Sequence, residues 1–539
     1  MAEANELAAR AFATRELAGR SIIDALKANP WIIAVTVMLA TFMEVLDTSI
    51  ANVALPHISG NLSATMDEGT WVLTSYLVSN AIVLPLSPWL SELFGRKRFY
   101  LICVGLFTIS SVLCGFAPNL DLLILFRVLQ GIGGGALVPI SQAILVESFP
   151  KEKHGVAMAV FGMGVMFAPV IGPALGGWIT ENYSWRWIFL INLPVGLIAF
   201  LLTAALVVDP SYLKRRKWRE SRIDYIGLGL VAVGLGFLQI VLDNGQKKDW
   251  FENTSILVMS VVVVISLVVA VVWELRQKDP VVDLRLLGDR SFAISTFTMF
   301  VVGFVVYGSI VMLPLYLQDL MNYSPTKSGM VLSPGGLAML LTMPLVGLAL
   351  GKIEARWLIA GGLLSGAGAL FYMANFNLQV DYRTAVYGSA MRSFGEALLF
   401  VPINVAAFNF VPKEKTNAAT GLINLARNIG GSMGIAAATT MLARRAQFHQ
   451  HRLVEHLTPL DEQYRSILSA AQQWLIGQGA DPVTAMQQAH GVLYGMVRRE
   501  AAMMAFIDAF WLLGVIYVAT VPLLFLMKKT RPGSVSLGH

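Results

Sequence analysis

The sequence predicts an all-α membrane protein with fourteen transmembrane helices, arranged as two six-helix bundles with two further helices inserted between them. Three observations predict this class. Of the 539 residues, 56% are hydrophobic and 14% are charged, whereas soluble domains carry about 25% charged residues. The apolar residues are concentrated in runs long enough to cross about 30 Å of hydrocarbon. The positive charges cluster in short segments between these runs, as is typical of cytoplasmic loops.

The chain begins with a segment, 5–28, in which apolar and charged residues alternate at helical spacing. This pattern predicts that residues 1–30 form a cytoplasmic amphipathic helix on the membrane surface. The segment lacks the features of a cleaved signal peptide, so we expect it to be retained. Six spans of an N-terminal bundle, residues 31–208, then follow near 31–53, 69–90, 99–117, 121–146, 155–179 and 187–208.

Two inserted spans are predicted near 224–242 and 254–274, within a region, 209–291, that also contains the basic loop at 214–222. The C-terminal bundle covers residues 292–527, and a cytoplasmic tail covers 528–539. Its six spans are predicted near 292–316, 328–350, 357–376, 384–410, 417–442 and 503–527.

The segment 443–500 is the one long polar stretch between two spans of the C-terminal bundle. We expect it to lie outside the membrane as two or three amphipathic helices, broken at Thr458-Pro459 and around Gly477–Pro482. It serves either as a solvated cap on the last two spans or as a docking surface for a partner outside the cytoplasm.

The placement of Lys and Arg predicts the orientation. Arg96, Lys97 and Arg98 lie on one side of the membrane together with the 214–222 cluster, whereas the loops of the opposite side are nearly free of positive charge. Because an even number of spans returns the chain to its starting side, we expect both termini in the cytoplasm. The net charge of +6 therefore reflects topology and does not indicate nucleic-acid binding.

The two bundles show similar patterns in the same order. Pro85-Leu-Ser-Pro88, at the cytoplasmic end of the second span, recurs as Pro344-Leu-Val-Gly347, and Arg127 in the fourth span has a counterpart in Arg392. Related bundles are typical of transporters that rock about a central site near the bilayer midplane. The chain lacks a phosphate-binding loop, a nucleophile–base pair and a set of metal ligands, so we expect neither an enzyme nor a metal site.

Ionisable residues inside the apolar runs mark the expected polar pathway, because such a residue costs roughly 2.5–3.5 kcal/mol at the bilayer centre. Glu44 and Asp47 lie one helical turn apart in the first span. Asp47 and Arg127 lie at about the same depth, so we expect contact between them. The contact is either a static ion pair that closes the N-terminal bundle or a pair that protonation weakens, which would couple proton entry to bundle movement.

Glu44 and Glu396 are candidate proton carriers, since each is a carboxylate in apolar surroundings. Glu396 lies at a depth similar to that of Arg427, and as an alternative it forms a structural bridge with Arg427 or Arg392. Aromatic, soft and charged side chains in the spans are candidates to line a substrate cavity: Trp71, Tyr76, Met163, Met166, Tyr307, Tyr316, Arg392 and Phe400.

Several motifs resemble those of the major facilitator superfamily and, more narrowly, its fourteen-span drug:proton antiporters of the EmrB/QacA type. The segment PWLSELFGRKR, from Pro88 to Arg98, resembles the superfamily pattern GxLADRxGRK, with Glu92 in place of the Asp. Arg127-Val-Leu-Gln130-Gly131 matches RxxQG, and Gly172-Pro173-Ala-Leu-Gly176-Gly177 matches GPxxGG. The segments LDTSIANVALP (46–56), WRWIFLINLPVG (185–196) and LDNGQKKDWF (242–251) resemble the fourteen-span group more specifically.

The resemblance implies a major facilitator fold and a multidrug efflux antiporter of the bacterial inner membrane. Such a protein exports hydrophobic or amphiphilic compounds, is driven by the proton gradient without a bound cofactor, and confers antibiotic resistance. The resemblance also implies a tripartite efflux pump with an EmrA-like periplasmic adaptor and a TolC-like outer-membrane channel. Residues of the shared motifs are implied to act in the conformational change: Glu92, Gly95, Arg96, Lys97, Gln130, Gly131, Gly172, Pro173, Gly176 and Gly177.

Two other functions stay open. One is export of a single endogenous metabolite, such as a siderophore, an aromatic acid or a fatty acid. The other is a membrane sensor that keeps the transporter fold without transport. Paired charges within the spans favour transport over sensing.

Overall fold

The computed structural model describes residues 29–529, apart from 151–152, 210–223, 279, 410, 413–414, 456 and 459. The side chains at 66–67, 166, 170, 173–174 and 325–326 are also outside the description. The predicted N-terminal amphipathic helix, the basic loop at 214–222 and nearly all of the C-terminal tail therefore lie outside the described residues.

The described residues form helices and no strands. The N-terminal bundle contains α1 (Pro30–Asn61), α2 (Met66–Phe94), α3 (Arg96–Gly115), α4 (Leu120–Gly134), α5 (Leu137–Ser148), α6 (His154–Asn182), α7 (Trp187–Leu190) and α8 (Asn192–Leu206). The inserted pair is α9 (Tyr225–Asn244) and α10 (Thr254–Arg276). The C-terminal bundle contains α11 (Arg290–Leu315), α12 (Pro325–Ala349), α13 (Ala355–Met373), α14 (Tyr382–Phe408), α15 (Thr416–Glu455), α16 (Glu462–Gly477) and α17 (Pro482–Leu524).

Within the described part of the chain, eleven helical segments are long and apolar enough to cross a membrane. The chain is therefore a multi-pass membrane protein, and the predicted all-α class is confirmed. Each of the fourteen predicted spans falls on one helix or on two helices separated by a short break. The count of fourteen crossings stays a prediction.

The fourth predicted span is divided into α4 and α5 by Gly135 and Ala136. Glycines allow this span to lie directly against α2. A Cβ atom added at Gly131 would stand 2.4 Å from the carbonyl oxygen of Tyr76, and one at Gly135 would stand 2.7 Å from that of Asn80. Any side chain would therefore push α4 away from α2.

Gly95 joins α2 to α3 without an intervening loop. Its φ of 85° is a conformation that side chains disfavour. The glycine allows Arg96 and Lys97 to begin a new helix directly after α2 ends. We call the end of the molecule that carries these residues the inner end, and the end that carries α16 the outer end.

The two bundles touch at the inner end. The Asn424 Nδ2 donates to Gln142 Oε1 at 2.6 Å, and the Asn417 Nδ2 donates to Ser91 Oγ at 3.4 Å. The backbones of α6 and α12 also approach closely, because a Cβ atom added at Gly347 would stand 3.2 Å from the Cβ of Ala159. The inner ends of the bundles are therefore packed together in this structure.

At the outer end, α15 and α17 contain 40 and 43 residues, or about 60 and 65 Å of helix. Both are about twice as long as the hydrocarbon thickness requires. The two predicted breaks in 443–500 are present, before α16 and between α16 and α17. The flanking parts of that segment continue the adjoining spans as parts of α15 and α17.

The inserted pair packs on the outside of the two bundles. Helix α9 packs against α10 and also contacts α2 of the N-terminal bundle and α15 of the C-terminal bundle. The pair therefore spans the junction between the bundles.

Candidate functional site

Asp47 lies in a buried polar cluster of the N-terminal bundle. Its Oδ2 accepts a hydrogen bond from Arg127 Nη1 at 2.5 Å. Its Oδ1 accepts from Gln130 Nε2 at 2.9 Å and from Asn192 Nδ2 at 2.8 Å. The side chains of Asp47 and Arg127 are 1% and 0% exposed, so donors from α4 and α8 surround this carboxylate.

Arg127 is fixed by more than its ion pair. Its Nε donates to the Val72 carbonyl oxygen at 2.9 Å, and its Cζ lies 4.3 Å from the centre of the Tyr76 ring. Its Nη2 has no hydrogen-bond partner among the residues described. The predicted contact between Asp47 and Arg127 is confirmed, and it joins α1, α2, α4 and α8.

Glu44 has a different environment, one turn from Asp47. Its Oε1 accepts from the Tyr76 hydroxyl and from Asn80 Nδ2, both at 3.0 Å. Both donors are neutral and both belong to α2. Gly134 leaves space for the Tyr76 hydroxyl, since a Cβ atom at Gly134 would stand 2.6 Å from that oxygen.

Arg427, which belongs to α15 of the other bundle, attracts Glu44 electrostatically without forming a direct ion pair with it. Arg427 is 6% exposed, and its Cζ lies 5.8 Å from the centre of the Phe400 ring. Its Nε lacks a hydrogen-bond partner in the described part of the chain. The charges of Glu44 and Arg427 therefore interact across the junction between the bundles.

Glu396 forms an ion pair with Arg392, one turn away in α14. Arg392 Nη1 also lies 3.4 Å from Ser309 Oγ. Of the two partners that the sequence leaves open for Glu396, the structure thus shows Arg392.

The motif at the inner end is held by three residues that the sequence does not single out. Arg96 forms an ion pair with Glu147 at the end of α5. The backbone N–H of Lys97 donates to Asp209 Oδ1 at 2.7 Å, and its Nζ donates to the Ala204 carbonyl oxygen at 2.7 Å. Glu92 is half-buried in the last turn of α2.

The glycines of the GPxxGG motif bring α6 onto α1 beside Asp47. A Cβ atom at Gly172 would stand 2.3 Å from Ser49 Oγ, and one at Gly176 would stand 3.0 Å from Ile50 Cγ2. Gly177 is less crowded, with Val53 Cγ1 at 3.9 Å. The side chain of Pro173 lies outside the described residues.

The predicted cavity residues do not form one group. Tyr316 lies in the core of the C-terminal bundle, where its hydroxyl donates to the Asn377 carbonyl oxygen at 2.7 Å and its ring packs against Phe376 and Phe506. Its place in a substrate cavity stays a prediction. The others are buried Tyr76, Arg392 and Phe400, half-buried Met163 and Tyr307, and exposed Trp71; the side chain of Met166 is not described.

Sequence reasoning missed several amides of the site. Asn80 and Asn192 bind the two carboxylates of α1, and Gln142 and Asn424 join the bundles. Each is a polar residue inside an apolar run, which is the signal that identifies such positions.

The chain is similar to known transporters over most of its length. The family model described as Major Facilitator Superfamily matches residues 37–435. The chain is 35% identical over 500 residues to the multidrug export protein EmrB of Escherichia coli K12, covering 92% of this chain and 95% of that protein. It is also 35% identical over 493 residues to the fatty acid resistance protein FarB of Neisseria gonorrhoeae, covering 91% and 94%.

Two solved structures show a similar fold at 14% sequence identity. The proton:xylose symporter XylE has a TM-score of 0.60, covering 93% of this chain and 97% of that chain. The human organic anion transporter MFSD10 has a TM-score of 0.59, covering 92% and 99%. At this identity, the likeness concerns the fold alone.

Proposed function

The chain belongs to the major facilitator superfamily, and on that premise we propose that it exports hydrophobic or amphiphilic compounds across the bacterial inner membrane in exchange for protons. Similarity to the multidrug export protein EmrB supports export of varied compounds. The exchange for protons is supported by the carboxylates of α1, which are costly at this depth unless they have a role or a partner.

One observation carries the proposal. Asp47 is surrounded by donors of its own bundle, one of them cationic, whereas Glu44 receives two neutral donors and interacts with a cation of the opposite bundle. We therefore assign the coupling role to Glu44 and the structural role to Asp47.

The proposed coupling follows from the electrostatics of Glu44. When its carboxylate is ionised, attraction to Arg427 draws α1 toward α15 in surroundings that screen charge weakly. Protonation removes this attraction. The inner ends of the two bundles are then held together only by hydrogen bonds such as the one from Asn424 to Gln142. The bundles can therefore rock apart at this end and expose the central site to the inner side.

The motif at the inner end is suited to guide this movement. The Arg96 ion pair with Glu147 ties the start of α3 to the end of α5, and both belong to the N-terminal bundle. The N-terminal bundle thus moves as a unit, while the contacts between the bundles change.

We also propose that both termini face the cytoplasm, with α16 on the periplasmic side. The helices α15 and α17 then extend well beyond the membrane. This extension suits docking of an EmrA-like periplasmic adaptor, joined in turn to a TolC-like outer-membrane channel.

A proton-flux experiment tests the proposal. Purified protein is placed in sealed vesicles with a pH-sensitive dye inside, and a panel of hydrophobic cations and long-chain weak acids is added. We expect ligand-dependent proton movement that is absent from protein-free vesicles and from the Glu44→Gln variant. Ligand binding without proton movement in the wild-type protein would contradict antiport.

A second candidate is export of one kind of amphiphile. The 35% identity to a fatty acid resistance protein favours it. In the same experiment, a response to long-chain fatty acids and to no hydrophobic cation would select this function.

A further inference from the structure

The hydroxyl of Tyr76 lies between a donor and an acceptor. It donates to Glu44 Oε1 at 3.0 Å. Asn80 Nδ2 donates to the same Oε1 at 3.0 Å and to the Tyr76 hydroxyl oxygen at 3.4 Å. Because an amide nitrogen only donates, the hydroxyl proton of Tyr76 must point to Glu44. The direction of every hydrogen bond in this network is therefore fixed.

The two oxygens of the Glu44 carboxylate have different surroundings. Oε1 accepts the hydrogen bonds from Tyr76 and Asn80, whereas Oε2 accepts none from the part of the chain that the structure describes. A proton on Oε1 would meet the O–H of Tyr76 and would displace a donor. Oε2 is thus the oxygen on which a proton binds without the loss of a hydrogen bond.

Tyr76 is itself held in place by α4. Its ring faces the guanidinium of Arg127, with 4.3 Å from Cζ to the ring centre, and Arg127 Nε donates to the carbonyl oxygen of Val72, one turn earlier in α2. The backbone of α4 is equally close. A Cβ atom at Gly131 would stand 2.4 Å from the Tyr76 carbonyl oxygen, and one at Gly134 would stand 2.6 Å from its hydroxyl oxygen. The fully buried tyrosine therefore has little freedom to move.

Asp47 completes this chain of contacts. It forms an ion pair with Arg127, which packs on the ring of Tyr76, and the Tyr76 hydroxyl reaches Glu44. Asp47 and Glu44 lie one turn apart on α1, yet a residue of α4 and a residue of α2 connect them. The buried ion pair thus holds, through Tyr76, the carboxylate that the proposed function uses.

We propose that Tyr76 is a positioning residue for proton exchange at Glu44. Its hydroxyl fixes the carboxyl group with Oε1 as the hydrogen-bonded oxygen, and the transported proton binds and leaves at Oε2. The network stays intact in both protonation states, because a carbonyl oxygen accepts the same two hydrogen bonds as a carboxylate oxygen does. The inference rests on the proposed function, since it takes Glu44 as the proton carrier.

Proton flux and ligand exchange, measured in the same vesicles, test the functional role. Tyr76→Phe removes the hydroxyl and keeps the ring against Arg127. We expect ligand-dependent proton flux to fall by about tenfold or more, as loss of one hydrogen bond to a charged group does, while exchange of labelled for unlabelled ligand is kept. Asn80→Leu removes the second donor at a similar side-chain volume and should also lower proton flux more than exchange.

Tyr100→Phe is the matched control. The Tyr100 hydroxyl is also buried in the N-terminal bundle, donates to the Val37 carbonyl oxygen at 3.2 Å, and lies 2.8 Å from Ser141 Oγ. Its removal should cost similar stability but leave the ratio of proton flux to exchange unchanged. Size-exclusion profiles and melting temperatures show whether each variant folds.

Infrared spectroscopy tests the position of the proton without any need for transport. Difference spectra of the purified protein between acidic and neutral pH contain the C=O band of protonated Glu44, which is identified by its absence in Glu44→Gln. A hydrogen bond to the carbonyl oxygen weakens the C=O bond. We therefore expect this band at a higher wavenumber in Tyr76→Phe and at the wild-type position in Tyr100→Phe.

Two results would overturn the inference and leave Glu44 as the proton carrier. One is a C=O band that does not move in Tyr76→Phe. The other is a wild-type ratio of proton flux to exchange in that variant, whether both activities are kept or both fall together. Proton flux at the wild-type rate in Glu44→Gln would instead contradict the proposed function, and with it this inference.

Discussion

The carboxylate of Asp47 and the guanidinium of Arg127 form an ion pair inside the N-terminal bundle, with 2.5 Å between Oδ2 and Nη1. Neither side chain is accessible to solvent to any useful extent. Two buried charges remain stable only when they are well paired, because separation from water costs several kcal/mol for each ion. The pair is therefore a structural element of this bundle.

Removal of one partner should destabilise the protein strongly. We predict that Asp47→Asn lowers the free energy of unfolding by about 3–5 kcal/mol, because Arg127 is left as an uncompensated buried charge. The melting temperature of purified protein in detergent measures this effect. The double variant Asp47→Leu/Arg127→Met removes both charges and should recover much of the loss; an unchanged melting temperature for Asp47→Asn would contradict the structural role.

The contact between α11 and α15 depends on glycine. A Cβ atom added at Gly434 would stand 2.0 Å from the Phe304 carbonyl oxygen. We predict that Gly434→Ala destabilises the protein by about 1–3 kcal/mol, as overpacking does. Gly361→Ala is the control, because a Cβ atom there meets nothing within 4 Å, and this variant should be neutral or stabilising by about 0.5–1 kcal/mol. Equal melting temperatures for the two variants would contradict the close helix contact.

Closure of the inner end can be tested by a disulfide. The Cβ of Ala159 lies 3.2 Å from a Cβ built at Gly347, close to the separation of about 3.5–4.5 Å in disulfides. We predict that the double variant Ala159→Cys/Gly347→Cys forms a disulfide on mild oxidation, loses transport, and regains it on reduction. Each single cysteine variant is a control and should keep transport under oxidation. Full transport by the cross-linked protein would show that this contact need not open.

The stability of the protein at low pH depends in part on Asp289, which lies outside the membrane-spanning part of α11. Burial alone would raise the pKa of Asp289, but hydrogen bonds from Lys528 Nζ and from the backbone N–H of Phe292 and Ser291 outweigh burial and lower the pKa of Asp289 below 3.8. A lowered pKa contributes stability above the unfolded-state value, and that contribution is lost as the pH falls through the folded-state value.

We therefore predict that Asp289→Asn, which still caps α11, lowers the melting temperature at neutral pH and reduces its further decline below about pH 4. Melting temperatures between neutral pH and about pH 2 test this dependence. Lys528→Met should weaken the same effect while the backbone donors remain. A decline in acid identical to that of the wild-type protein would exclude Asp289 as a contributor.

The sequence predicts well how deep a residue lies along its span. The equal depth of Asp47 and Arg127 follows from the rise per residue along two spans, and the contact between them was predicted on that basis. The start of the second span was placed a few residues late, near 69. In the structure Thr65 and Glu68 form a capping box at the start of α2.

The depth of a residue along its span does not determine in which direction its side chain points around the helix axis. Glu396 and Arg427 lie at similar depths, yet Arg392 is one turn from Glu396 on the same helix and forms the ion pair. The interaction of Arg427 with Glu44 depends on how the bundles meet, and no local pattern within either span specifies that packing.

The central claim is that Glu44, rather than Asp47, couples proton movement to export. The most direct measurement compares two activities of Glu44→Gln in the same vesicles: exchange of labelled for unlabelled ligand, which moves no net protons, and ligand-dependent proton flux. We predict that exchange is kept and proton flux is lost, because the bundles still rock while the carrier of the proton is missing. Proton flux at the wild-type rate in Glu44→Gln would contradict this assignment.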